Sequence, residues 1–306
     1  MDGTSPATHG SARPGLLMAI GGAEDKVREQ GILRYFVRAC GGPDANIVVL
    51  ATASELPDTG ERYADLFYSM HAQTVEVLRI RTREDALDEA AEAIDHLEYA
   101  SGFFITGGSQ LRISSVLGGT EIAAAIKRRH AAGMVVAGTS AGAAVLSEHM
   151  IAMGESGGTP RRRLVQMSRG LGLAPELVID QHFRRRDRLG RLLASLASNP
   201  SLLGVGVDED TAAIIDGDGI LHVLGSGAVL LVDASGVRYT SSASAQQTDP
   251  IAMLGLRADF LISGCRYDLK ARKGIAPAPE TLEAAAGADG SHLPDPVPVL
   301  LGSRSR

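Results

Sequence analysis

Short apolar runs punctuate the first half of the chain, and a stretch that reads as helical separates each from the next. Leu16–Ile20, Asn46–Ala51, Thr74–Leu78, Gly102–Thr106 and Met134–Ala137 have the length and composition of buried strands. Helices are expected from Ala23 to about Cys40, from about Gly60 to Met70, and over Glu84–Tyr99, Leu111–Leu117 and Glu121–His130. Glu24 and Asp25 open the first of these, where the helix macrodipole favours negative charge. Strands alternating with helices, without hairpins, predict βαβ units: an α/β chain whose mostly parallel sheet is covered on both faces.

After Leu202 the texture changes. Gly204–Val207, Ala212–Ile215, Ile220–Leu224 and Ala228–Val232 are short apolar runs separated by turn residues, and Asp216-Gly217-Asp218-Gly219 is a strong hairpin signal. These runs are expected to extend the same sheet in antiparallel fashion, giving one catalytic domain over residues 1–306. Residues 1–15 are polar, and from 274 to 306 the chain is rich in Ala, Pro and Gly; both are expected to be loosely held tails.

Composition narrows the function classes. The 306 residues are 44% hydrophobic and carry a formal net charge of −6, which argues against a general nucleic-acid binder. No apolar run approaches the length of a membrane span, and Leu16–Ile20 is too short for a signal-peptide core. The two cysteines, Cys40 and Cys265, have no metal-ligand spacing and read as thiols of a reducing compartment, so a cytoplasmic location is expected.

The chemistry concentrates in Gly133–Met150. The strand Met134–Ala137 meets Gly138-Thr139-Ser140-Ala141-Gly142, and a small-residue helix is expected over Ala143–His149. Strand, sharp turn, Ser and helix form the context of a nucleophile elbow, whose strained Ser tolerates little bulk around it. A helix beginning beside Ser140 also leaves N–H groups free for a developing oxyanion.

A second constellation follows at Val178-Ile179-Asp180-Gln181-His182. An apolar pair running into polar residues places them at a strand end, where α/β sheets bind ligands, and His182 is the candidate base for Ser140. Leu189, Leu192, Leu193 and Leu196 then mark the buried stripe of a helix, with Arg188 and Arg191 expected on another, solvated face. Arg184, Arg185, Arg186, Arg188 and Arg191 crowd one short segment of an acidic protein, as a site for carboxylates would require. Arg161-Arg162-Arg163 lies in a Gly/Ser/Pro-rich stretch and reads as a mobile rim. Asp208, Glu209 and Asp210 cluster at another strand end; any of them could orient His182, and spacing does not choose. The order Ser, His, acid differs from the Ser, acid, His order of α/β-hydrolases and argues against an esterase or lipase.

These pieces resemble the cyanophycinase family, within the serine peptidases that include aspartyl dipeptidase. The resemblance rests on IGGAEDK (20–26), FITGGSQLR (104–112), GTSAGA (138–143), IDQHF…RLGRL (179–192), GVDEDTA (206–212) and VLGSGAV (223–229), and spans roughly Leu16–Leu269. One departure is Asp187, which stands where a small residue is expected and bears on subsite preference. The resemblance implies a flavodoxin-like α/β/α sandwich related to class I glutamine amidotransferases. It implies a triad of Ser140, His182 and Glu209, with no metal or organic cofactor.

As substrate it implies cyanophycin, a poly-aspartate with arginine on each β-carboxyl, cut by an exopeptidase to β-Asp-Arg dipeptides; a dipeptidase for short aspartyl or isoaspartyl peptides is the rival reading. A homodimer is the expected assembly, with no nucleic-acid or membrane partner. On this reading the oxyanion meets the N–H of Ala141 and one from Gly107 or Gly108. Arg186, Arg188 and Arg191, helped by Gln110 and Gln181, hold substrate carboxylates, and Glu24 or Asp180 receives the substrate guanidinium.

Overall fold

In the computed structural model, which describes residues 13–246 and 248–277, the apolar runs of the N-terminal half become strands close to their expected positions. In chain order these are β1 (Leu17–Ile20), α1 (Gly31–Ala39), β2 (Asn46–Leu50), α2 (Thr59–Ser69) and β3 (Thr74–Leu78). Then come α3 (Asp85–Asp88), α4 (Ala90–Tyr99), β4 (Gly102–Ile105), α5 (Gln110–Leu117) and α6 (Glu121–Ala131). The elbow strand β5 (Val135–Thr139) leads into a one-turn α7 (Ala141–Ala144) and a hairpin of β6 (His149–Gly154) and β7 (Val165–Arg169). Next are β8 (Leu177–Asp180), α8 (Leu189–Ser198), β9 (Leu203–Val207), β10 (Thr211–Ile215), β11 (Ile220–Gly225) and β12 (Ala228–Asp233). Short strands close the chain: β13 (Tyr239–Thr240), β14 (Met253–Leu254), β15 (Arg257–Ile262), β16 (Arg266–Asp268) and β17 (Lys273–Ile275).

The large sheet runs β17-β16-β11-β10-β1-β5-β4-β2-β3. Pairing is parallel from β1 through β3 and antiparallel from β1 outward to β17. Successive residues of a strand face opposite sides, and β1 shows the consequence. Met18 and Ile20 pack with Phe36 of α1, Phe67 of α2 and Phe104, whereas Leu17 and Ala19 join Leu97 of α4, Ile113 of α5 and Ile126 of α6. The second cluster also takes in Ile179, Val205 and Val229, so it bridges to a four-stranded sheet ordered β15-β12-β9-β8. An α/β fold with helices on both faces of the parallel part of the large sheet results.

Several expectations need correction. The C-terminal strands do not all extend the central sheet: β10 and β11 do, but β9 and β12 pair with β8 and β15 in the second one. The first helix starts at Gly31, because Ala23 adopts φ 48° and the Asp25 carboxylate gathers the N–H groups of Val27, Arg28, Glu29 and Gln30 into a tight turn. That carboxylate is held well below the ordinary range by these N–H donors. The helix after Ser140 is one turn long, since the Val145, Leu146 and Ser147 carbonyls accept from Leu171, Leu173 and Gly172 instead of continuing it. The Glu84–Tyr99 segment divides at Glu89.

Residues 273–275 form an edge strand, so the start of the expected C-terminal tail is ordered; residues 278–306 and 1–12 lie outside the described residues. The expected mobile rim is anchored: Arg161 and Arg162 donate to the carbonyls of Thr248 and Ala245. Among the described residues, no helix is long and apolar enough to cross a membrane.

Candidate active site

Three strand ends converge on Ser140. It follows β5 directly, with φ 54° and ψ −112°, a backbone conformation that persists only when its surroundings over-determine it. Ser140 N–H donates to Ile20 O at 2.9 Å, tying the elbow to the end of β1. An added Cβ on Gly138 would collide with the Gly142 and Ala143 backbone, and one on Gly142 would meet Ile105. The small residues are therefore required where strand and α7 nearly touch.

His182, two residues past β8, lies with Nε2 2.9 Å from Ser140 Oγ, and its Nδ1 is 2.7 Å from Glu209 Oε1. An ionised carboxylate only accepts, so Nδ1 carries the proton and Nε2 is left to accept from the Ser140 hydroxyl. Burial pushes the His182 imidazolium below the usual histidine range; Glu209 opposes this, and Arg186 adds to it. The ring is thus neutral at neutral pH, as a base must be.

Of the three clustered acids, only Glu209 meets His182. Asp208 accepts from Arg184 N–H, the Arg184 side chain and Ala228 N–H, and Asp210 accepts from Asp25 N–H and Ser226 Oγ. Glu209→Gln is expected to lower kcat by about 10²–10⁴-fold, with Asp208→Asn and Asp210→Asn milder, as read by steady-state kinetics on the three variants.

Gly107 faces the nucleophile, since a Cβ there would stand 3.3 Å from Ser140 Cβ. Gly108, at φ 139°, packs on the Ala53–Ser54 backbone instead. Ala141 opens α7, so its N–H is among those a helix leaves without an internal acceptor.

The expected substrate-binding set is redistributed. Arg188 and Arg191 are buried rather than solvated. Arg191 Nε donates to Asp180 Oδ2 at 2.6 Å and its Nη2 to Oδ1, while Arg188 Nη1 donates to Gln181 O at 2.6 Å, to Gln181 Oε1 and to Asp180. The loop between β6 and β7 covers this side of α8: Gly190 N–H donates to Gly157 O, and a Cβ on Gly190 would reach Thr159 O at 2.6 Å. Asp180, 1% exposed, is thereby matched to two guanidinium groups and is not open to a substrate's. Glu24 is equally committed, accepting from Tyr63 Oη and from Thr139 Oγ1 at 2.6 Å and pairing with Lys26 Nζ at 2.9 Å. The Gln110 amide nitrogen donates to Ile151 O and Ala152 O, holding the hairpin to α5.

Arg186 alone of the three expected carboxylate binders is exposed, with no side-chain partner among the described residues. Its proximity gives a pH prediction. Removing a cation favours imidazolium, so Arg186→Gln should move the acid limb of the kcat/KM profile to higher pH, measured across the range where histidine titrates. An unmoved limb would separate Arg186 from the His182 field.

Asp187, the departure from the family pattern, has φ 46°, a conformation that favours glycine. Sequence reasoning missed Gly22, on which any Cβ would come within 2.5 Å of His182 Nε2. The Gly21-Gly22 doublet was its only signal. Among the described residues, no group of three or more His, Cys, Asp or Glu side chains is arranged to hold a metal ion.

The model for "Peptidase family S51" matches residues 16–223. A cyanophycinase from Trichormus variabilis is 45% identical over 258 residues, covering 84% of this chain and 86% of that protein. One from Synechococcus elongatus is 43% identical over 273 residues, 88% of this chain and 84% of its own length. The crystal structure of a peptidase from an acI-B1 actinobacterium superposes with a TM-score of 0.57 at 19% identity, over 87% of this chain and 98% of that one, and shares the fold.

Proposed function

The chain belongs to peptidase family S51, and on that premise we propose that it is a serine exopeptidase that hydrolyses cyanophycin to β-Asp-Arg dipeptides. The observation that carries the catalytic part is the hydrogen-bonded series Ser140–His182–Glu209 on a strained elbow. The 41–45% identity to cyanophycinases over most of the chain supports the substrate.

In this reading His182 Nε2 takes the proton as Ser140 Oγ attacks a backbone carbonyl of the poly-aspartate. The resulting oxyanion lies against the N–H groups of Ala141 and Gly107, each worth about 3 kcal/mol in the transition state. His182 returns the proton to the leaving amine, leaving an acyl-enzyme on Ser140. Water, activated by the same ring, then releases the product and restores the hydroxyl. Glu209 stays ionised throughout, fixing the tautomer and stabilising the imidazolium. Arg186 holds a substrate carboxylate beside the reacting carbonyl.

The protein is further proposed to act in the cytoplasm as a homodimer. Free thiols at Cys40 and Cys265 suit a reducing compartment, and exposed Phe260 and Ile262 on the edge strand β15 suit a subunit contact. Light scattering checks the dimer.

Hydrolysis of β-Asp-Arg oligomers compared with aspartyl and isoaspartyl peptides lacking arginine tests the substrate. We expect kcat/KM to favour the arginine-bearing oligomers by at least about 10²-fold. Equal cleavage of the arginine-free peptides would instead identify a general aspartyl dipeptidase.

A further inference from the structure

Glu24 is a buried carboxylate that the hydrolytic steps do not use. Its side chain is 1% exposed, yet it lies next to the nucleophile in the fold. One oxygen accepts from Thr139 Oγ1 at 2.6 Å, and Thr139 is the residue immediately before Ser140. The other accepts from Tyr63 Oη and faces Lys26 Nζ at 2.9 Å. The Tyr63 hydroxyl is pushed far up by burial and by this carboxylate, so it remains a donor. A buried carboxyl group is costly unless its oxygens find hydrogen-bond donors, and here each of the two has one.

The segment that carries Glu24 bonds to two residues of the triad and to the neighbour of the third. Ile20 O accepts from Ser140 N–H, Gly21 O accepts from His182 N–H at 2.8 Å, and Gly22 O accepts from Asp210 N–H at 2.9 Å, next to Glu209. Asp25 N–H donates to Asp210 Oδ1 at 3.0 Å. Residues 20–25 therefore form a strap across three strand ends. Along it, Glu24 makes the side-chain contact with the elbow.

We propose that Glu24 is a positioning residue for the nucleophile: through Thr139 Oγ1 it locks the strap to the end of β5 and fixes where the strained Ser140 places its hydroxyl. The inference rests on Ser140 being the nucleophile. A substrate-guanidinium role is closed to this carboxylate, because both oxygens are engaged and the group is buried.

The test is the rate at which a fluorophosphonate probe labels Ser140 in the full-length protein, measured beside kcat and KM. Thr139→Val keeps the shape and removes the hydroxyl; it should slow labelling and kcat by about 10–100-fold with KM nearly unchanged, as small displacements of a reacting group do. Glu24→Gln should slow both in the same direction. Thr139→Ser restores the donor and should recover to within about threefold of the parent protein.

Labelling of folded Thr139→Val at the parent rate, or equal losses in the Ser and Val variants, would overturn the inference. If Thr139→Val does not fold, Glu24→Gln beside Thr139→Ser decides, and parent-like rates in Glu24→Gln overturn it. A parent protein unlabelled at Ser140 would overturn the nucleophile assignment itself, a result distinct from either.

Discussion

Replacing Ser140 by alanine is expected to lower kcat on cyanophycin by about 10⁶-fold, while the melting temperature stays within about 2 °C of the parent. The nucleophile disappears, but Ala occupies the same positive-φ position as readily as Ser, and the N–H to Ile20 O bond is untouched. His182→Ala should cost nearly as much. The double variant should lose no more than either, because nucleophile and base act as one unit. Additive losses would mean that the 2.9 Å contact between Ser140 and His182 is incidental to the chemistry.

The second large effect is expected at Asp180. Its carboxylate is enclosed with Arg188 and Arg191, whose side chains are 10% and 5% exposed. Removing it by Asp180→Ala leaves two buried guanidinium groups without their counter-charge, which should destabilise the protein by about 3–5 kcal/mol. Activity should fall too, since Gln181, held by Arg188, adjoins His182 in sequence. Restoring length without charge, as in Asp180→Asn, should recover only part of the stability. If Asp180 instead received the substrate guanidinium, KM would rise and the melting temperature would hold. Denaturant unfolding and steady-state kinetics on the same preparations separate these outcomes.

The contrast between Ser140 and Asp180 shows what a sequence can carry. The elbow is legible because its requirements are local: an apolar run, a glycine on either side of the turn, and a serine between them. The strands β2 and β3 are legible for the same reason. Pairing partners are not local, so the assignment of β9 and β12 to a second sheet left no mark in their composition. Arg188 and Arg191 read as solvated because the leucine stripe of α8 names only one buried face. The second face is covered by the loop of a hairpin whose first strand, residues 149–154, has no alternating pattern to announce it. Glu24 was misplaced by a related route. A glutamate beside an aspartate resembles a helix start, and only the positive φ of Ala23 and the turn around Asp25 turn it inward. The acid of the triad was ambiguous by spacing, and the bonds that occupy Asp208 and Asp210 separate it from its neighbours.

The most direct measurement of the central claim is to incubate the purified protein with insoluble cyanophycin and identify the soluble products by mass spectrometry and comparison with synthetic standards. The account predicts β-Asp-Arg dipeptide as the main product and none from Ser140→Ala. Free arginine with an intact poly-aspartate backbone, no soluble product, or undiminished release by Ser140→Ala would contradict it.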